Sequence, residues 1–201
     1  MRKRIYISAD YSLDSGDREV VELLNKWGND DLHKIDFVDM AKVVSGSVSN
    51  NPDCRPCDLK REFNAQINAS SAVIVVVGDK TRMRTAGSNC LRADNIQMFC
   101  PCTPYKQNAN GTKMCKVIQV YAEIDNVGDI NKYSYIRHEF EQAKKRAKDI
   151  IVVYNSLRNE HQWLPDYMKG CKFKEYPFWK NNFYGQRIGN YDEIKRALGY
   201  A

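Results

Sequence analysis

The sequence predicts a three-layer α/β domain with a mostly parallel central sheet between two layers of helix. Two observations carry this. Short apolar runs alternate with segments of helical periodicity along most of the chain. The run "AVIVVV" at Ala72 to Val77 is apolar without alternation, as a central strand covered on both faces should be. Length agrees, since 201 residues suit one domain that buries a core without disulfides or metal.

The elements follow in order. "RIYIS" at Arg4 to Ser8 predicts the first strand, and the polar turn "ADYSLDSGD" leads into the helix "REVVELLNKWG". Val20, Leu23, Leu24 and Trp27 share one side of that helix, and Gly28 is a stop signal. "KIDFVDM" predicts a second strand. After a Ser/Asn/Pro-rich loop, Asp58 is expected to cap a helix that buries Leu59, Phe63 and Ile67. The run at Ala72 to Val77 then ends at Gly78, where a loop opens at the sheet's carboxyl edge.

From about Arg84 to Lys132 the regular order breaks into a stretch rich in Asn, Cys, Pro, Thr and Gly, with one strand-like run, "KVIQVY". We read it as an insertion. Order returns with the helical "SYIRHEFEQA" and the buried strand "DIIVVYNS". In the last helix, "NYDEIKRALG", Asn190 and Glu193 have capping-box spacing and Gly199 a stop position.

Bulk properties narrow the classes. No apolar run approaches the roughly 20 residues that cross a bilayer, and the start "MRKRIYISAD" reaches Asp10 before a signal-peptide core forms, so a cytoplasmic location is expected. Seven cysteines are expected as free thiols. The net charge of +6 includes "KKRAK" at Lys144 to Lys148, read as a solvated helix face in which Glu141 and Lys145 pair at i, i+4 rather than as a nucleic-acid surface.

Several chemistries lack their motifs. There is no "GxxxxGK[ST]", no "GxGxxG" and no "HExxH", and His33, His138 and His161 are scattered. Cys54, Cys57, Cys100 and Cys102 would together suit zinc, yet only one CxxC knuckle is present where a zinc ribbon carries two. Small buried or surface thiols are the plainer reading, and no resident cofactor or metal is expected.

The candidate reactive group is Glu139. At 100° per residue Ile136, Phe140, Ala143 and Ala147 fall on one arc, with Arg137, Glu141, Lys145 and Lys148 opposite. Glu139 lies at the edge of the apolar arc, where a half-buried carboxylate can face a cleft. A surface glutamate in a first turn, favoured by the helix dipole, fits the pattern as well.

Three stretches bear on this choice. "RIYISADYSLD", "SSAVIVVVGDKTRMR" and above all "SYIRHEFEQAKKRAKDIIVVYNS" resemble the TIR-like domains, in particular the bacterial TIR-like proteins of Thoeris anti-phage defence. The resemblance implies a flavodoxin-like, TIR-like three-layer domain over 1–201, with a Cys-containing insertion at about 84–132. It maps the family's catalytic glutamate to Glu139, its preceding tryptophan to Tyr135, and the serine and loop after the first strand to Ser8, Asp10 and Tyr11. Tyrosine at 135 and the insertion are departures from the family pattern.

The resemblance implies cleavage of the nicotinamide–ribose bond of NAD, with release of nicotinamide and formation of a cyclic or conjugated ADP-ribose signal. Glu139 would stabilise the oxocarbenium ion, Tyr135 and Phe140 would stack on a ring of the substrate, and the loop after Gly78 would offer Lys80 or Arg82 to the pyrophosphate. Self-association or a downstream effector is the expected partner besides NAD, with no membrane and no nucleic acid. Two other readings stand: a non-enzymatic TIR-like scaffold, and a nucleoside deoxyribosyltransferase, which also sets a glutamate beside a ribose.

Overall fold

The computed structural model describes residues 3–29, 35–39, 55–85 and 134–200. Strands β1 (Lys3–Ser8), β2 (Ile35–Val38), β3 (Ala72–Val77), β4 (Asp149–Tyr154) and β5 (Lys174–Pro177) form one sheet in the order β2-β1-β3-β4-β5. Every neighbouring pair is parallel. This is the strand order of a flavodoxin-like doubly wound sheet, and the expected fold class is the observed one.

Helices α1 (Asp17–Gly28), α2 (Arg55–Ala69), α3 (Tyr135–Lys145) and α4 (Tyr191–Ala197) cover the two faces. Side chains alternate along each strand, so each buried strand feeds both layers. Ile5, Ile7, Ile74, Val76, Ile151 and Val153 pack with Val20, Val21 and Leu24 of α1 and with Ile194 of α4. Tyr6, Val73, Val75, Val77, Val152 and Tyr154 pack with Leu59, Phe63 and Ile67 of α2 and with Ile136, Phe140 and Ala143 of α3. Each fully buried aliphatic side chain contributes about 1.5–3 kcal/mol, which is why unbroken apolar runs mark these strands in the sequence.

The ends of the helices differ in detail from expectation. α2 begins at Arg55, so Asp58 lies within the helix and does not cap it. The α3 cap is Ser134, whose hydroxyl accepts a 3.0 Å hydrogen bond from the Arg137 amide. α3 stops at Lys145, and Ala147 is exposed with φ 48°, off the apolar arc to which periodicity assigned it. Glu141 pairs with Lys144 at 3.7 Å rather than with Lys145. Gly199 does follow α4 in a left-handed conformation, φ +77°, that an L side chain adopts only under strain. At the start of α4 the expected capping box does not form: the Asn190 side chain caps no backbone amide, and its amide group instead donates to the Glu193 carboxylate.

Two features escaped the sequence reading. β5 extends the sheet beyond β4, and β6 (Trp179–Asn181) pairs antiparallel with β7 (Arg187–Gly189) as a hairpin against α1. Arg187 fastens it, donating two 2.8 Å bonds to the Glu19 carboxylate while its guanidinium lies 4.2 Å from the centre of the Trp179 ring. The insertion at about 84–132, with "KVIQVY" and all but its first two residues, lies outside the described residues, as do Cys54, Cys100, Cys102 and the Cys57 side chain. Among the described residues no helix is long and apolar enough to cross a membrane, and no group of His, Cys, Asp and Glu is arranged to hold a metal ion.

Candidate functional site

In a sheet of this order, loops at the carboxyl ends of β1 and β3 flank the point where the chain reverses its direction of winding, and ligands bind outside that edge. The side-chain geometry there starts from β1. Tyr6 and Ser8 are two residues apart and so share the face covered by α2 and α3, whereas Ile5 and Ile7 face α1. Glu139, on the second turn of α3, reaches down onto that same face. Tyr6 donates a 2.6 Å hydrogen bond to Glu139 Oε1, and the Ser8 hydroxyl donates to Oε2.

The position of Glu139 departs from the half-buried one expected: it is only 2% exposed. α2 packs beside α3 over the same face of the sheet, and the edge of a narrow apolar stripe is covered when two helices pack side by side. Burial pushes its carboxyl up to about 7, against the lowering effect of the Ser8 and Tyr6 hydrogen bonds and the positive charge of Lys60. The same contact acts on Tyr6, whose phenol is raised well above its usual range by burial and then by the Glu139 charge. Near neutrality the carboxyl is therefore divided between its acid and its ionised form.

The other predicted residues fall into three groups. Ser8 touches Glu139 directly. Asp10 and Lys80 belong to an ionic cluster one loop away: Asp10 accepts from the Ser12 amide at 2.9 Å and from Arg84 Nε at 2.5 Å, and Lys80 Nζ bonds the Asp14 carboxylate at 2.9 Å. Gly78 lies between, its amide donating to Thr81 Oγ1. A Cβ at Gly78 would meet Asp17 Oδ1 at 2.7 Å, so its glycine answers to close packing against α1.

The remaining three point elsewhere. Tyr135 meets Phe63 of α2 edge to face, ring centres 5.8 Å apart. Tyr11 packs against the α1-side core, and its carbonyl accepts from Arg18. Arg82 reaches Asp166 at 3.3 Å, in the loop beyond β4. Phe140, expected to stack on a ligand ring, is fully buried against Tyr167 and Phe173 and belongs to the core.

Sequence reasoning missed Tyr6, Asp14, Arg84 and a buried chain of polar groups on the opposite face. Asp17, the first residue of α1, is fully buried. Its Oδ1 accepts from Asn155 Nδ2 at 2.9 Å, and Asn155 Oδ1 accepts from Trp179 Nε1 at 2.7 Å. Burial pushes Asp17 up to about 7, and Oδ2 has no hydrogen-bond partner among the described residues. The only available signal was an acid in a first helical turn, which the dipole alone accounts for.

The strand order and the polar groups at its carboxyl edge define a flavodoxin-like α/β domain with a buried glutamate of α3 held against the end of β1. No family model matches the chain, and no curated protein matches it. Among solved structures it is similar to a prokaryotic SEFIR domain, at 17% identity over 98% of each chain and a TM-score of 0.41.

Proposed function

We propose that the chain is a TIR-like NAD-cleaving enzyme that releases nicotinamide and forms an ADP-ribose-derived signal, cyclic or conjugated, in bacterial anti-phage defence. The observation that carries the reading is the pair of hydroxyls, Tyr6 and Ser8, that hold the Glu139 carboxylate at the carboxyl end of β1. The substrate class comes from the resemblance of the three sequence stretches to TIR-like proteins.

The chemistry asks little of the protein. When the C1′–N bond of NAD breaks, its electron pair passes to the nicotinamide nitrogen, and a cationic ring leaves as a neutral molecule. Positive charge develops on the ribose. A carboxylate in a low-dielectric setting stabilises that charge more than it does in water. Water, a hydroxyl or a ring nitrogen then attacks C1′ and releases a proton, giving a linear, conjugated or cyclic product. Tyr6 and Ser8 fix the carboxylate's orientation, so it need not reorganise as the charge appears.

The test is mass spectrometry of small molecules from cells expressing wild type or Glu139→Gln, with and without phage infection. An ADP-ribose species that requires Glu139 supports the enzyme, and constant NAD with no differing species removes it. A second reading, a non-enzymatic TIR-like interaction module, draws on the 2% exposure of Glu139 and on both its oxygens being bonded within the chain. Concentration-dependent self-association in sedimentation runs, without nicotinamide release, is the outcome it requires.

A further inference from the structure

Two cations at the carboxyl edge converge on one carboxylate. Lys80 Nζ lies 2.9 Å from Asp14 Oδ2 and Arg84 Nη2 lies 2.6 Å from Asp14 Oδ1. Lys80 also donates to the Asp14 backbone carbonyl at 3.0 Å. Arg84 is oriented from behind by Asp10, which is 8% exposed and accepts a hydrogen bond from Arg84 Nε at 2.5 Å. Asp14 itself is 56% exposed, on the loop between β1 and α1.

The arrangement has the form of an anion site. A planar guanidinium and an ammonium face one acidic group from two sides, as they face a phosphate. One acid, Asp10, is buried and fixes the geometry, while the other, Asp14, is exposed and lies where an incoming anion would sit. The pull of the two cations is visible in Asp14, whose carboxyl is lowered to about 2, chiefly by the Lys80 and Arg84 hydrogen bonds. Lys80 follows the end of β3 and Asp10 follows Ser8 by two residues, so the cations adjoin the strand that carries the partners of Glu139.

We infer that Arg84 and Lys80 form a binding site for the diphosphate of a nucleotide, that Asp10 is its positioning residue, and that Asp14 occupies it as an internal competitor. The inference rests on the proposed function for the nucleotide class, and it reassigns the cations: Arg84 joins Lys80, while Arg82 is directed to Asp166. A diphosphate bearing more charge than a carboxylate displaces Asp14 and takes the bonds from both cations. Exposed ion pairs such as these are weak and screened by solvent, so Asp14 lowers affinity without closing the site.

The test is calorimetric titration of the full chain with inorganic pyrophosphate and, separately, with ADP-ribose, at fixed salt. Asp14→Asn removes the competitor at constant shape, and its affinity for both probes is expected to rise about tenfold. Lys80→Gln should weaken both about threefold, and Lys80→Gln with Arg84→Gln should abolish binding. Asp14→Asn binding no tighter than wild type, or binding that survives in the double variant, overturns the site. Pyrophosphate binding without ADP-ribose binding overturns the nucleotide assignment. Because these readouts need no turnover, a chain that binds both probes through these residues yet never releases nicotinamide keeps the site and loses the proposed enzyme.

Discussion

The Tyr6 phenol donates a 2.6 Å hydrogen bond to the carboxylate of Glu139, 133 positions later in the chain. With the Ser8 hydroxyl on the other oxygen, a buried acid from α3 is held against the end of β1 by two hydroxyl donors, with the positive charge of Lys60 favouring its ionised form. Hydroxyl donors lower the cost of burying a carboxylate but do not cancel it, and this sets the behaviour of the site.

Glu139→Gln is expected to lower nicotinamide release by about a hundredfold or more while the fold persists, since the amide keeps the shape and loses the charge. Glu141→Gln is the control. Glu141 is 42% exposed and pairs with Lys144, so the rate of this variant should stay within twofold, about the effect of a lost surface pair. Circular dichroism of both variants checks that α3 is intact.

A rate carried by ionised Glu139 should rise with pH through a midpoint near 7, the value to which burial raises the group. Tyr6→Phe deletes a bond that favours the ionised form, so its midpoint should move to higher pH. A pH–rate profile of the two proteins measures this, and a midpoint that stays or falls contradicts the role given to Tyr6.

Stability should fall as pH rises across the same window. Burial raises Glu139 and Asp17 to about 7 when folded, against ordinary values of 4.5 and 3.8. Between those values the folded chain binds more protons than the unfolded one, so raising pH favours unfolding until the folded groups have ionised. For Glu139 the loss is on the order of 3 kcal/mol, complete above about pH 7. Urea midpoints at pH 5 and pH 8 test the sign, and Glu139→Gln should reduce the difference.

Gly78→Ala is expected to cost about 1–3 kcal/mol, because the new Cβ meets Asp17 Oδ1 at 2.7 Å inside a packed edge. Asp17→Ala should remove most of that penalty. A double-mutant cycle on urea midpoints reads the coupling, and additive effects at the two positions contradict the contact.

Phe140→Ala should cost about 3–5 kcal/mol, the usual price of emptying a buried aromatic site. A near-neutral value in thermal unfolding contradicts its place in the core.

The sheet was legible because β1, β3 and β4 are buried on both faces and their sequences show it. β5 was not: "KEYP" carries two charges and a proline, which an edge strand tolerates and a central one does not. Three-residue strands such as β6 and β7 are too short for any period to emerge. At the site, helical phase singled out Glu139, but nothing local marks Tyr6 as its donor, because a tyrosine in an apolar strand reads as core. Asp14 and Arg84 meet across 70 positions, and a pairing over such separation leaves no periodic trace.

The distance in sequence between β1 and α3 also bears on how the protein comes into being. Closing a loop of that length has an entropic cost that is met only once β3 and β4 give the ends a common surface. The contacts of Glu139 therefore depend on pairings made across much of the chain. A chain still emerging from the ribosome, or one cut between β3 and α3 before it folds, holds the Glu139 carboxylate in water without its two donors. Formation of the Tyr6–Ser8–Glu139 cluster is thereby tied to completion of the sheet that carries it.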